Sequence, residues 1–128
     1  MNQPQFHRLG DLQLRIMQVL WARGEASVAD IQAALPGGAD LAYTTVATML
    51  RKMEARGLVR HRAEGRTFIY RAAVAEHQVS RSVTEHVLDR LFGGSVEALV
   101  SHLLTAREIA PDELDRLEAL IAKRRNRP

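Results

Sequence analysis

The chain has 128 residues, 46% of them apolar, a formal net charge of +3 and no cysteine, enough for one ordinary domain or one small domain with an appendage around a packed core. No stretch approaches the roughly 18 uninterrupted apolar residues of a membrane span, and Met1-Asn2-Gln3-Pro4-Gln5 lacks the basic start and apolar run of a signal peptide, so no membrane insertion and a cytoplasmic localisation are expected. The missing cysteines remove disulfide scaffolds, zinc ribbons and Cys nucleophiles together.

Residues 11–23 read as a helix: Leu12, Ile16, Val19 and Leu20 recur at helical spacing, with Leu14, Met17 and Trp21 widening the apolar face. Gly10 is the expected N-cap, Leu9 and Leu14 occupy the positions of a hydrophobic staple, and Gly24 ends the helix. Ser27-Val28-Ala29-Asp30 has the spacing of a capping box with Asp in the last position. It opens a short helix whose Val28, Ile31 and Leu35 face inward before Pro36-Gly37-Gly38 stops it.

A third helix is expected from about Ala42 to Arg56, closed by Gly57. At 100° per residue its wheel puts Val46, Met49, Leu50 and Met53 on one side and Thr44, Thr48 and Arg51 on the other, flanked by Thr45 and Lys52. Thr is a mediocre helix former, so three of them in five positions need a reason. Tertiary accident is one; a surface of small hydroxyls ending in two cations, fit for a DNA groove, is another.

After Gly57 the period changes. Leu58-Val59-Arg60-His61-Arg62 and Thr67-Phe68-Ile69-Tyr70-Arg71 are β-prone, with Ala63-Glu64-Gly65-Arg66 as the turn. Phe68 and Tyr70 share a face and are expected to pack on the helices, while Arg60 and Arg62 share another, giving the hairpin a basic rim. Residues 51–71 hold seven Lys/Arg against two Asp/Glu, a focused field of the kind that attracts polyanions, although a solvated charged surface has the same composition. Residues 1–72 carry 10 Lys/Arg against 6 Asp/Glu and residues 73–128 carry 8 against 9.

Residues 76–92 return to helix with Val79, Val83, Val87, Leu88 and Leu91 apolar, then Gly93-Gly94. Ser95 caps a helix carrying Val96, Leu99, Val100, Leu103 and Leu104. Pro111 opens a last one, with Asp112 and Glu113 favourable to its dipole and Leu114, Leu117, Leu120 and Ile121 as a seam; Lys123–Pro128 is expected to fray. These helices have more apolar surface than one small arm can bury, which points to a homodimer sealed by Leu88, Leu91, Leu99, Leu103, Leu117 and Leu120.

Helix, helix, helix, hairpin is the order of a winged helix-turn-helix. The expected fold is therefore mainly α with a small β-hairpin: a winged helix-turn-helix DNA-binding domain over residues 1–73, followed by a helical dimerisation domain over residues 74–128. The third helix would enter the major groove, about 12 Å wide. Thr hydroxyls can hydrogen-bond base edges there, while Arg51, Lys52 and the hairpin arginines hold phosphates. A winged helix that binds protein instead of DNA is the alternative. RNA fits less well, because no exposed aromatic platform is expected.

Leu20-Trp21, Leu41-Ala42-Tyr43-Thr44-Thr45-Val46-Ala47-Thr48-Met49-Leu50, Lys52-Met53, Gly57-Leu58 and Gly65-Arg66-Thr67-Phe68-Ile69-Tyr70 resemble the BlaI/MecI/CopY family of bacterial repressors over nearly the whole chain. The resemblance implies a homodimer on a palindromic double-stranded DNA operator with TACA/TGTA-type half-sites. It implies recognition by Thr44, Thr45 and Thr48, with Arg51, Lys52 and Arg66 near the backbone; Tyr43 and Arg60 complete the candidate DNA-binding set. In members that control β-lactam resistance, a membrane sensor-protease triggers cleavage in the dimerisation arm, and the corresponding bond here is His102-Leu103. Those members have Asn-Phe at that bond. Copper-responsive members carry a C-terminal Cys-x-Cys motif, which a chain without cysteine lacks.

His7, His61, His77, His86 and His102 include no pair at the i, i+4 spacing of a helical metal site, and no Gly-rich phosphate loop or His-Glu-x-x-His motif is present. Ser80, Ser82, Ser95 and Ser101 read as surface or capping residues. No metal, no cofactor and no enzymatic activity are expected.

Overall fold

The computed structural model describes residues 8–37 and 40–128; the expectations placed on Met1–Gln5, His7 and Gly38 lie outside them. Helix α1 (Asp11–Arg23) starts at Gly10, whose N–H donates to Gln13 Oε1 at 3.2 Å. It ends where the Gly24 N–H donates to the Leu20 carbonyl at 2.7 Å. Strand β1 (Glu25–Ser27) leads directly into helix α2 (Val28–Ala34) through the expected capping box. The Asp30 N–H donates to Ser27 Oγ at 3.1 Å, and the Ser27 N–H donates to Asp30 Oδ2 at 3.2 Å. The Ser27 backbone N–H, and after it the Ser27 hydroxyl, hold the Asp30 carboxyl below the usual carboxylate range.

Helix α3 (Tyr43–Ala55) is followed by strands β2 (Val59–Glu64) and β3 (Thr67–Ala72). Where a two-stranded hairpin was expected, the sheet has three antiparallel strands in the order β1-β3-β2. Ala26 and His61 both lie opposite Tyr70, and Val59 lies opposite Ala72. Three residues are too few to show alternation, so β1 has no sequence signature of its own; its pairing with β3 is what makes it a strand.

The core lies between the three helices and one face of the sheet. Ile16, Met17 and Leu20 meet Ile31, Leu35, Val46, Leu50 and Met53, closed by Leu58, Val59 and Tyr70 and by Val79 from helix α4 (Glu76–Phe92). Trp21 is half-buried, its Nε1–H donating to the Val74 carbonyl at 2.9 Å. Phe68 departs from expectation. It shares a face with Tyr70, but lies two residues nearer the hairpin tip and is 47% exposed. The hairpin strands also extend further than expected, from Glu64 directly opposite Thr67, so that only Gly65 and Arg66 form the turn. Gly65 has φ +63° and Arg66 has no positive φ, the pattern of a type II′ turn, whose twist suits a hairpin.

Two compact units divide the chain, one through His86 and the other Val87–Pro128, with the cut falling inside α4. In the second unit, helix α5 (Val96–Ala106) is capped by Ser95 Oγ, which accepts from the Ala98 N–H at 3.1 Å. Helix α6 (Pro111–Arg125) has Pro at its start. It continues through Lys123-Arg124-Arg125, where a frayed tail was expected, because cations in a last turn oppose the negative end of the helix dipole. No side chain of α5 or α6 is buried.

Candidate nucleic-acid interface

The face that matters is built on α3. Its inward positions Val46, Leu50 and Met53 are fully buried, and this anchoring forces the opposite side outward. Thr44, Thr45, Thr48, Arg51 and Lys52 are all exposed on that side, and Tyr43 is exposed at the start of the helix. Arg51 Nη2 donates to Thr48 Oγ1 at 3.1 Å, one turn away, which leaves the rest of the guanidinium fork open. The helix is held by side-chain hydrogen bonds from both predecessors. Gln32 Nε2 on α2 donates to the Leu41 carbonyl at 2.6 Å, and Gln13 Nε2 on α1 donates to Met49 Sδ at 3.3 Å while its Oε1 accepts from Arg56 Nη1 at 3.2 Å.

The turn from α3 into the wing is a Schellman motif. The Gly57 N–H donates to the Glu54 carbonyl and the Leu58 N–H to the Met53 carbonyl, both at 3.0 Å, with Leu58 and Met53 buried at the two ends of the outer bond. Gly57 has φ +79°, a left-handed conformation that glycine adopts without a Cβ penalty. The start of β2 is thereby fixed relative to the end of α3.

Directly opposed residues in a sheet share a face, so Val59, His61 and Ala63 lie on one side with Ala72, Tyr70 and Phe68. On the other side are Arg60, Arg62 and Glu64, with Arg71, Ile69 and Thr67. The basic rim is uneven. Arg62 is held between two carboxylates, Nε to Glu25 Oε2 at 3.1 Å and Nη1 to Glu64 Oε2 at 2.7 Å. Glu25, then Glu64, push the Arg62 pKa up, and Arg62 in turn lowers that of Glu25. Among the described residues, Arg51, Lys52, Arg60, Arg66 and Arg71 form no ion pair. Arg66 sits in the hairpin turn, while Arg60 lies opposite Arg71 on the face turned away from the core.

Sequence reasoning passed over a contact between helix and wing. His61 Nδ1 lies 2.6 Å from Glu54 Oε1, and the Phe68 ring stacks on the imidazole with centroids 4.2 Å apart. Phe68 two residues from Tyr70 was the available signal, but a pattern cannot say where along a hairpin the helices stop covering it.

The arm residues form a second group. Leu91, Leu103, Leu117 and Leu120 are exposed, while Leu88 and Leu99 are half-buried. His102 and Leu103 stand in the middle of α5, with the His102 ring 5.6 Å from Phe92. Among the described residues no helix is long and apolar enough to cross a membrane, and no three His, Asp or Glu side chains are grouped to hold a metal ion.

Three helices, a three-stranded sheet and a wing carrying unpaired arginines define a winged helix-turn-helix protein. The profile of the penicillinase repressor family matches residues 9–123, and the chain belongs to that family of transcriptional repressors. The "Transcriptional regulator BlaI" of Mycobacterium tuberculosis is 31% identical over 118 residues, covering 91% of this chain and 84% of its own. The "Penicillinase repressor" of Bacillus licheniformis is 22% identical over 120 residues, 94% of each chain. Among solved structures, the DNA binding domain of the repressor BlaI is similar with a TM-score of 0.50 and 24% identity, over 61% of this chain and 93% of that domain; this likeness bears on the fold. These relatives are repressors or regulators of transcription.

Proposed function

We propose that the chain represses transcription in the cytoplasm by holding a palindromic double-stranded DNA operator as a homodimer. Residues 1–73 would act as the DNA-binding domain and residues 74–128 as the dimerisation domain. In this reading α3 lies in the major groove with Thr44, Thr45 and Thr48 toward base edges, and Tyr43, Arg51, Lys52, Arg60 and Arg66 toward the sugar-phosphate backbone. The observation that carries it is the exposed threonine side of α3, flanked by cations that no carboxylate neutralises. Leu88, Leu91, Leu99, Leu103, Leu117 and Leu120 would seal the dimer, supported by the absence of any buried side chain in α5 and α6. Relief of repression would come from a membrane sensor-protease system acting at His102-Leu103; a cut there needs α5 to unwind locally, since proteases take extended chain. The reading calls for no metal or cofactor and no catalytic step.

The test is selection of binding sites from random duplex DNA, followed by titration in salt. A palindromic consensus and a log K slope of about −0.9 per neutralised phosphate are expected. No enrichment, with a salt-insensitive association to protein instead, would make the chain a protein-interaction module.

A further inference from the structure

Among the described residues, α3 and the wing meet at a polar side-chain contact. Glu54, in the last turn of α3, and His61, two residues into β2, approach to 2.6 Å with side chains only 33% and 32% exposed, respectively. The imidazole is gripped from its other side. Phe68 stacks on it at 4.2 Å with the planes 25° apart, and the buried Tyr70 ring lies 5.5 Å away. The charged and titratable groups around it come from α3 and β3. Glu54 touches it directly, and the adjacent Tyr70 phenol in turn feels Glu54, Arg51 and Tyr43. On β2 itself, the same-face neighbours Val59 and Ala63 are uncharged. The Schellman turn fixes only the base of the wing; nearer its tip, this cluster is the side-chain link back to α3.

The geometry points to His61 as a positioning residue for operator binding: it clamps the wing to the recognition helix through Glu54, and the clamp tightens when the imidazole is protonated. This rests on the operator-binding reading above. A neutral imidazole donates one N–H to the carboxylate. An imidazolium adds a charge-assisted bond, which is shorter and stronger, and places a cation against the Phe68 face. It also cancels the Glu54 carboxylate, a negative group on the DNA-facing helix that would otherwise repel phosphates. Duplex DNA brought against α3 therefore favours the protonated ring, and by linkage protons favour DNA binding. Affinity is therefore expected to rise as the pH is lowered.

The experiment measures affinity of the full chain for the selected duplex between pH 8 and 5.5 at constant ionic strength, for wild type, His61→Gln and Glu54→Gln. Far-ultraviolet circular dichroism of each confirms folding, which is expected because both side chains are partly exposed. Wild type is expected to tighten by about tenfold more than either variant across that range. Either variant keeping the full wild-type pH profile overturns the inference, as does a flat wild-type profile. Wild type failing to bind at every pH overturns the operator reading itself and this inference with it.

Discussion

Each exposed side chain on α3 and the wing has a job set by what it can bond and by what already bonds it. A threonine hydroxyl offers one donor and two acceptors on a short stem, so it reads a base edge only if the helix axis is held close to the groove. Thr45→Ala and Thr48→Ala are expected to relax sequence preference by about 1 kcal/mol each, the low end of direct readout, measured as the affinity ratio between the selected operator and single-base variants. An arginine on phosphate acts without regard to sequence. Arg66→Ala or Lys52→Ala should weaken binding to all duplexes alike and flatten the salt slope by about one unit. Arg62 provides the contrast, because its charge is spent on Glu25 and Glu64. Arg62→Ala should leave the salt slope unchanged even if it lowers affinity by exposing two carboxylates. A Thr45→Ala variant with unaltered operator preference, beside an Arg66→Ala variant whose preference changes, would reverse the assignment of reader and anchor.

Elements are held by their ends as much as by their buried faces. Ser27→Ala removes the α2 cap and should cost about 1 kcal/mol of stability, read from urea unfolding. The cap is also pH-linked. Because the Asp30 carboxyl is held below its ordinary range, its contribution is complete above the unfolded value near 3.9 and is lost as pH falls below it. Acid should therefore narrow the stability gap between wild type and Ser27→Ala. At the other end of the helix-turn-helix, a Cβ at Gly57 would meet nothing within 4 Å, so only its φ of +79° opposes substitution. Gly57→Ala should cost about 1 kcal/mol from backbone strain, and equal stability by chemical denaturation would contradict that account. These ends are also where the sequence was most legible: Ser27 with Asp30, Gly57, Ser95 and Pro111 each marked a terminus by local chemistry, and α3 separated its two sides by period alone. What was not legible depended on partners far along the chain. Strand β1 exists through pairing with β3, Phe68 is exposed because the helices end short of it, and the Arg62 charge is paired because Glu25, from a distant strand, reaches it. The threonines of the candidate site were readable for the same reason as the caps, since they repeat within one helix, whereas the Glu54–His61 contact joins a helix to a strand across a turn.

At the scale of the whole molecule, the distribution of burial separates folding from association. Among the described residues, every buried core side chain lies between Ile16 and Val79, whereas α5 and α6 bury none. A fully buried Leu contributes roughly 1.5–3 kcal/mol, so several arm leucines shared between two copies suffice for association. Sedimentation is expected to show a dimer at tens of micromolar, and a monomer there would place the association weaker than about −7 kcal/mol and count against it. Coupled half-sites then add a second consequence. Once one DNA-binding unit is seated, its tethered partner meets the other half-site at high effective concentration, a gain of roughly 10²–10⁴ that needs no new contact. Ending the chain after His102 removes Leu103, Leu117 and Leu120 while leaving every core residue from Ile16 to Val79 in place. The truncated protein should keep its winged-helix circular dichroism and bind an isolated half-site as the intact chain does. Its affinity for the full operator should fall toward that half-site value, with the loss residing in dissociation rate, because α3 is untouched. This holds whether the cut is made by a protease or by a stop codon. Equal affinity of truncated and intact chains for the full operator would show that the arm contributes no avidity, and that the two half-sites are read independently.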